Sequence, residues 1–289
     1  MAKIGFIGLG LMGAAMVGRL QDKGHELTVL GNRSRPRIDA AVARGATEAA
    51  NAKAVAEAAD IIMLCMDTSQ SVESRMEGPE GVIAGLTAGK VVIDFGTSLP
   101  GSTRRLGDLV AATGATYLDA PLGRTPAHAE DGLLNIMGAG NEAAFASVKP
   151  VLEDLGVNVF HLGPLGSGHT IKLINNFFGM TVANAMAEAM AMADVAGVPR
   201  QQLYDVMSAG PLHSGMMDFV AAYGLEGDKT KLEFAIRNAA KDVGYYAQMA
   251  ADAGFYSKMS AAPLAALRGA TEDGRGDAMV SEIIDYYTK

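Results

Sequence analysis

The segment Gly168-His169-Thr170-Ile171-Lys172-Leu173-Ile174-Asn175-Asn176 sets one amine and two carboxamides into a largely apolar stretch. Lys172 and Asn176 are four residues apart, so on a helix they share one face. An ammonium among apolar side chains is costly to keep charged, which predicts a lysine pKa drawn toward neutrality. Such a lysine can take the proton of an alcohol during oxidation, or give one to an aldehyde oxygen during reduction. Asn176 can orient that same oxygen. The competing use of a lysine on an apolar helix is to run its stem along the surface and keep its charge in water.

A second group of residues suits a phosphate. Gly8-Leu9-Gly10-Leu11-Met12-Gly13 follows an apolar run, Lys3–Ile7, and opens a helical pattern. Gly8 makes a tight turn, Gly10 lets backbone approach a pyrophosphate, and Gly13 permits close contact between helix and strand. The phosphates then meet the unpaired N–H groups of a helix N-terminus. The next strand ends Val29-Leu30-Gly31-Asn32-Arg33-Ser34-Arg35, with Arg37 beyond. An acid that would accept hydrogen bonds from a ribose 2′-hydroxyl is missing there. Asn32, Arg33 and Ser34 offer donors instead, and arginine can hold a 2′-phosphate through paired charge-assisted bonds. The expectation is NADP preferred over NAD.

These groups need a scaffold. In the first half, Lys3–Ile7, Glu26–Leu30, Ile61–Cys65, Val91–Asp94 and Tyr117–Asp119 read as strands, several without polar alternation, as in a parallel sheet covered on both faces. Helical patterns such as Met12–Lys23, Pro36–Arg44 and Gly101–Ala112 lie between them. The alternation predicts a doubly wound α/β Rossmann domain over residues 1–163, with Leu133–Met137 and Val157–His161 extending its sheet. From residue 164 strand signals fade, and residues 164–289 read as an all-helical domain for substrate and dimerisation. Its first helix, Thr170–Val195, looks long and largely buried, and further helices are expected over Arg200–Ser208, Leu232–Ala253, Ala261–Glu272 and Met279–Tyr287. So apolar a helix calls for partners on every side, and a homodimer or homotetramer is expected.

Composition narrows the classes further. The chain has 289 residues, 49% of them apolar, and a net charge of −8 without a basic cluster, which argues against nucleic acid. The five histidines are scattered, so no metal site is expected. Cys65 is the sole cysteine, it cannot form an internal disulfide, and it reads as a buried small hydrophobe. The opening apolar run is too short for a signal peptide, and no run approaches the roughly 18 apolar residues that span a bilayer. A cytoplasmic location without membrane contact is expected.

Four separated segments resemble the β-hydroxyacid dehydrogenase family, whose members include 3-hydroxyisobutyrate dehydrogenases and semialdehyde reductases. They are Gly5 to Gly13, Asp94-Phe95-Gly96-Thr97-Ser98, Asp119-Ala120-Pro121-Leu122-Gly123-Arg124-Thr125, and the lysine segment described above. The resemblance covers essentially the whole chain. It implies an NAD(P)-dependent oxidoreductase acting on a CH–OH group, with Lys172 catalytic and Asn176 assisting. It implies Thr97 near the nicotinamide ribose, Met66 among the cofactor residues, and Lys241, in Lys241-Asp242-Val243, approaching the cofactor. As plain sequence, Lys241 is equally an exposed helix charge.

The third segment departs from the family pattern. Ser-Gly-Gly is usual where this chain carries Gly123, Arg124 and Thr125. Arg124 brings a permanent charge and five donors. Gly-Arg-Thr resembles the sulfolactaldehyde reductase branch. A sulfonate presents three acceptor oxygens, which an arginine fork, a threonine hydroxyl and backbone amides can serve, with Asn175 and Asn176 helping. A carboxylate would also bind Arg124, so the expected substrate is a small anionic aldehyde or hydroxy acid of either kind. A regulator that binds NADP without turnover is a competing class, which the Lys172 and Asn176 pair argues against.

Overall fold

The computed structural model describes residues 1–31 and 35–288. It divides into two compact units, Met1–Lys172 and Leu173–Lys289.

The first unit is built on six parallel strands: β1 (Lys3–Ile7), β2 (Glu26–Leu30), β3 (Thr47–Ala49), β4 (Ile61–Leu64), β5 (Val91–Asp94) and β6 (Thr116–Asp119). Their order is β3-β2-β1-β4-β5-β6, so the chain reverses direction across the sheet at β1 and β4. Such a reversal opens a crevice at the carboxyl ends of the strands, where ligands of doubly wound sheets bind. Helices α1 (Leu11–Asp22), α2 (Arg35–Ala43), α3 (Ala52–Ala58), α4 (Ser69–Met76) and α5 (Pro100–Ala111) connect the strands.

The central strands are apolar on both faces because both faces are covered. Alternate residues enter two separate cores. Ile4, Phe6, Val29, Met63 and Ile93 join one, while Ile7, Leu30, Ile62, Leu64 and Val92 join the other. Each large side chain so buried contributes roughly 1.5–3 kcal/mol.

Two expected strands do not extend this sheet. The chain instead builds a second one from β7 (Leu122–Gly123), β8 (Leu134–Gly138) and β9 (Gly156–His161), ordered β7-β8-β9. Its connections are α6 (Pro126–Glu130) and α7 (Glu142–Leu155). Beside β6 only an isolated antiparallel bridge forms, between Asp119 and Ala139. Ala120 still donates to the Asp94 carbonyl, but Pro121 after it has no N–H for a ladder, and the chain leaves the first sheet there.

Beyond lies α8 (Ser167–Ala196), 30 residues long. In the second unit it packs with α9 (Arg200–Ser208), α10 (Gly215–Glu226), α11 (Ile236–Asp252), α12 (Ala261–Ala270) and α13 (Ile284–Tyr287). The all-helical expectation holds for this unit, with one isolated bridge, Ala235 to Met279. Helix α8 is not buried all round. Met180, Ala183, Met186, Ala187 and Met190 form a stripe in the core, while Ile174, Phe178, Met192 and Val195 are exposed. That spacing is the ordinary amphipathic period, which the density of Ala and Met conceals in the sequence. Among the described residues, no helix is long and apolar enough to cross a membrane.

Candidate active site

The glycine turn has the shape that its spacing predicts. Gly8 has φ +102°, and a Cβ there would collide with the Cys65 carbonyl oxygen. A Cβ on Gly13 would collide with the Gly8 carbonyl oxygen and crowd the Phe6 ring, so α1 can lie close to β1 only with glycine at that position. Gly10, the residue before α1, has open space within 4 Å of its Cβ position. That opening at a helix N-terminus fits a pyrophosphate. Leu9 is buried in the core and Leu11 is exposed, so Leu9 can serve a ligand only through its backbone. Met66, after β4, has its sulfur 2.9 Å from the Gly8 Cβ position, and its carbonyl oxygen lies 2.8 Å from that of Gly96. The carboxyl ends of β1, β4 and β5 thus bring Gly8, Met66 and the loop bearing half-buried Thr97 together.

Asn32, Arg33 and Ser34 lie outside the described residues. Arg35 opens α2, and its guanidinium is held by Asp39 and Glu48. Those carboxylates raise its pKa, the hydrogen bond that Arg35 donates to Glu48 most of all. Arg37 points elsewhere: it lines a cleft beside α1 with Leu11, Arg19 and Arg44.

A buried polar cluster fixes the start of α8. Asp94, Asp119 and His169 are each fully buried. The two oxygens of Asp119 accept the backbone N–H groups of Gly166 (2.7 Å) and His169 (2.8 Å). These are orphan donors of the helix's first turn, and a carboxylate there also complements the helix dipole. Desolvation still wins: burial raises the Asp119 pKa, against the lowering effects of His169 and the two backbone bonds. Burial, with Asp94 and Asp119 adding to it, likewise holds the neighbouring Tyr117 phenol well above its usual range. His169 Nδ1 meets Thr103 Oγ1 at 2.8 Å, and the same hydroxyl oxygen lies 3.2 Å from the Leu99 carbonyl oxygen. Asp94 accepts from the Gly96 N–H and the Ser98 hydroxyl, and faces His169 Nε2 at 3.7 Å. A Cβ on Gly168 would collide with the Met137 carbonyl oxygen. Three sequence segments therefore meet one turn before Lys172, which is itself half-buried.

The Gly123-Arg124-Thr125 loop is strained. Arg124 has φ +80°, the only positive φ outside glycine among the described residues. Its side chain is exposed, and one Nη donates to the Leu133 carbonyl at 2.8 Å. Gly123 pairs with Asn135 across β7 and β8. The Thr125 hydroxyl meets His128 Nδ1 at 2.7 Å.

In the second unit, Asn176 is buried and donates its amide to Asp242 Oδ2 at 2.6 Å, while Asn175 is exposed. The other Asp242 oxygen lies 3.0 Å from Lys241 Nζ, which also sits 5.3 Å from the Tyr245 ring centre. The Phe177 and Tyr246 rings stack at 4.0 Å between the same two helices, α8 and α11. Lys241 is therefore a paired group and not a solvated charge.

Comparison with known proteins decides the family. Residues 3–163 match the family model of the NAD binding domain of 6-phosphogluconate dehydrogenase. Residues 166–287 match that of the NAD-binding domain of NADP-dependent 3-hydroxyisobutyrate dehydrogenase. The 2-(hydroxymethyl)glutarate dehydrogenase of Eubacterium barkeri is 31% identical, over 98% of this chain and 93% of its own. The chain belongs to the β-hydroxyacid dehydrogenase family. It is an NAD(P)-dependent oxidoreductase that acts on the hydroxyl group of hydroxy acids. The 2-hydroxy-3-oxopropionate reductase of Escherichia coli is 34% identical, over 75% of this chain and 73% of that one. A 3-hydroxyisobutyrate dehydrogenase structure from Salmonella typhimurium superposes with a TM-score of 0.83 at 27% identity, covering 98% of this chain and 99% of that one.

Some residues of this β-hydroxyacid dehydrogenase escaped the reading of its sequence. Asp242 directly follows Lys241, yet nothing local marks it as the buried acceptor of Asn176. His169 and Asp119 were visible only as members of motifs. Glu48 had no signal at all, since β3 is three residues long. Cys65 was expected to be buried and is partly so, packed against the core, with burial pushing its thiol up to about 12. Among the described residues, no cluster of His, Cys, Asp or Glu could hold a metal ion.

Proposed function

We propose that this dehydrogenase is an NADP-preferring reductase of a short aldehyde bearing a strong anion, 3-sulfolactaldehyde being the substrate of choice and 2,3-dihydroxypropane-1-sulfonate its product. The observation that carries this reading is Arg124. A guanidinium held on a left-handed backbone, exposed, with one N–H given to Leu133, keeps four further donors for a ligand. Backbone strain of this kind concentrates where a side chain must be aimed.

A bound reduced dinucleotide would supply the hydride that turns the aldehyde carbon into a carbinol carbon. In this reading the Lys172 amine gives the proton to the aldehyde oxygen, completing an O–H bond as the new C–H bond forms. Asn176 commits one N–H to Asp242. Its second N–H steadies the same oxygen. Arg124, with Gly123 and Thr125, binds the far anionic end, so the reacting carbon is set by a two-point grip. The cofactor residues proposed in the first unit are Gly8 to Gly13, Met66 and Thr97, and Lys241 is the one proposed in the second. Preference for NADP draws support from the arginines after β2 and from the family model of an NADP-dependent enzyme.

A second reading has a specific observation in its favour. The relatives named above act on carboxylates by name, 2-(hydroxymethyl)glutarate and 2-hydroxy-3-oxopropionate, and a guanidinium fork suits a carboxylate too. Initial rates with sulfolactaldehyde, methylmalonate semialdehyde, succinic semialdehyde and tartronate semialdehyde, each with NADPH and NADH, separate the two. A clear preference for any carboxylate substrate removes the sulfonate reading.

A further inference from the structure

Position 31 follows β2 directly, where a Rossmann domain that prefers NAD carries an acid for the ribose 2′-hydroxyl. Here it is Gly31, and an acid reaches that place from the neighbouring strand. A Cβ built on Gly31 would overlap Glu48 Oε1 and lie 3.3 Å from Arg35 Nη1. Glu48 belongs to β3, whose parallel pairing sets Glu48 opposite Val29 and Ala49 opposite Leu30. Its side chain therefore reaches across to the end of β2 and puts a carboxylate oxygen in the space where a side chain at position 31 would begin.

Arg35 binds that carboxylate at 2.6 and 3.2 Å. The pair is open to solvent, with side-chain exposures of 54% for Arg35 and 35% for Glu48. Exposed pairs of this kind are weak enough for a ligand to part. Beside it, a cavity of about 430 Å³ lined by Leu30, Gly31, Asn51, Arg75 and Pro79 opens at the carboxyl ends of β2 and β3. That volume is in the range of small-ligand sites.

We propose that Glu48 is a cofactor-specificity residue: its carboxylate, supplied from β3, accepts the ribose hydroxyls of NAD, and Arg35 is its removable counter-charge, turned to the 2′-phosphate when NADP binds. The proposal rests on dinucleotide binding at this corner and deepens the cofactor preference given above. It makes the enzyme dual, with the Arg35 and Glu48 pair setting the ratio. It also explains Gly31, since any side chain there would displace the carboxylate.

The test is fluorescence titration of wild type, Glu48→Gln and Gly31→Ala with NADH and with NADPH, alongside kcat/KM for each cofactor. Glu48→Gln is expected to weaken NADH at least tenfold and to leave NADPH equal or tighter. Gly31→Ala, which evicts the carboxylate without removing it, is expected to shift the ratio in the same direction. A NADPH to NADH ratio within twofold of wild type in both variants overturns the role of Glu48 while leaving the dinucleotide site intact. Wild type that binds neither cofactor overturns both readings. Thermal melts that match wild type show that each variant is folded.

Discussion

Replacing Arg124 by glycine sets two physical terms against each other. An arginine at φ +80° bears a conformational cost of about 1–2 kcal/mol, which glycine does not. The replacement also loses the hydrogen bond to Leu133, about 0.5–1 kcal/mol at an exposed site. Glycine loosens the unfolded chain by a further 0.5–1 kcal/mol or so. These terms cancel to within about 1 kcal/mol, which moves the melting temperature by no more than about 4 °C. Binding has no such cancellation. A charge-assisted pair of hydrogen bonds to an anion is worth about 1.5–3 kcal/mol, roughly 10- to 150-fold in affinity. Arg124→Gly should therefore leave stability and kcat close to wild type and raise KM for the anionic aldehyde by one to two decades. Initial rates with the anionic substrate and with a neutral aldehyde of equal length read this directly. An unchanged KM, or an equal loss with the neutral aldehyde, refutes the anion clamp.

Lys172→Ala should lower kcat by roughly 10²–10⁴ while dinucleotide affinity stays within about threefold, and turnover near wild type would remove the proton-transfer role. Asp119→Asn can accept only one of the two helix N–H groups, so the melting temperature should fall by several degrees, corresponding to about 1–3 kcal/mol. The sign with pH is also set. Burial raises the Asp119 pKa, so the folded protein binds this proton more readily than the unfolded chain. Wild-type stability from this group is full below the ordinary value of 3.8 and is lost as pH rises through the raised one. The advantage over Asp119→Asn must shrink across that window, and urea midpoints that diverge with rising pH would contradict it. Cys65, with its thiol pushed up to about 12, should resist iodoacetamide at pH 8 in the native protein and react once unfolded. Rapid native labelling would contradict that.

How much of this could be seen in the residues alone depends on the range over which each feature acts. The glycine turn is local: Gly8 and Gly13 lie where a Cβ would collide with backbone a few residues away or on the next strand, and Gly10 between them faces open space. Strand identity is also local, because Val91–Asp94 or Ile61–Leu64 is apolar whichever neighbour it pairs with. Strand partnership is not. Leu133–Met137 reads as a strand, and the structure has one at Leu134–Gly138, but in a second sheet, after the chain leaves the first near Pro121. The buried cluster is harder still. Asp119 and the His169 N–H are 50 residues apart, Thr103 and His169 are 66, and no spacing rule links them. Arg124 and Glu48 mark the same limit from the other side. In sequence, an arginine in a glycine position and a glycine in an acid position are two departures from a pattern. In space, the first keeps the glycine conformation and the second makes room for an acid from the next strand. Such exchanges conserve the geometry a ligand meets while moving the residue that supplies it. Pattern matching therefore reads the reaction class of this dehydrogenase more securely than it reads what the enzyme selects.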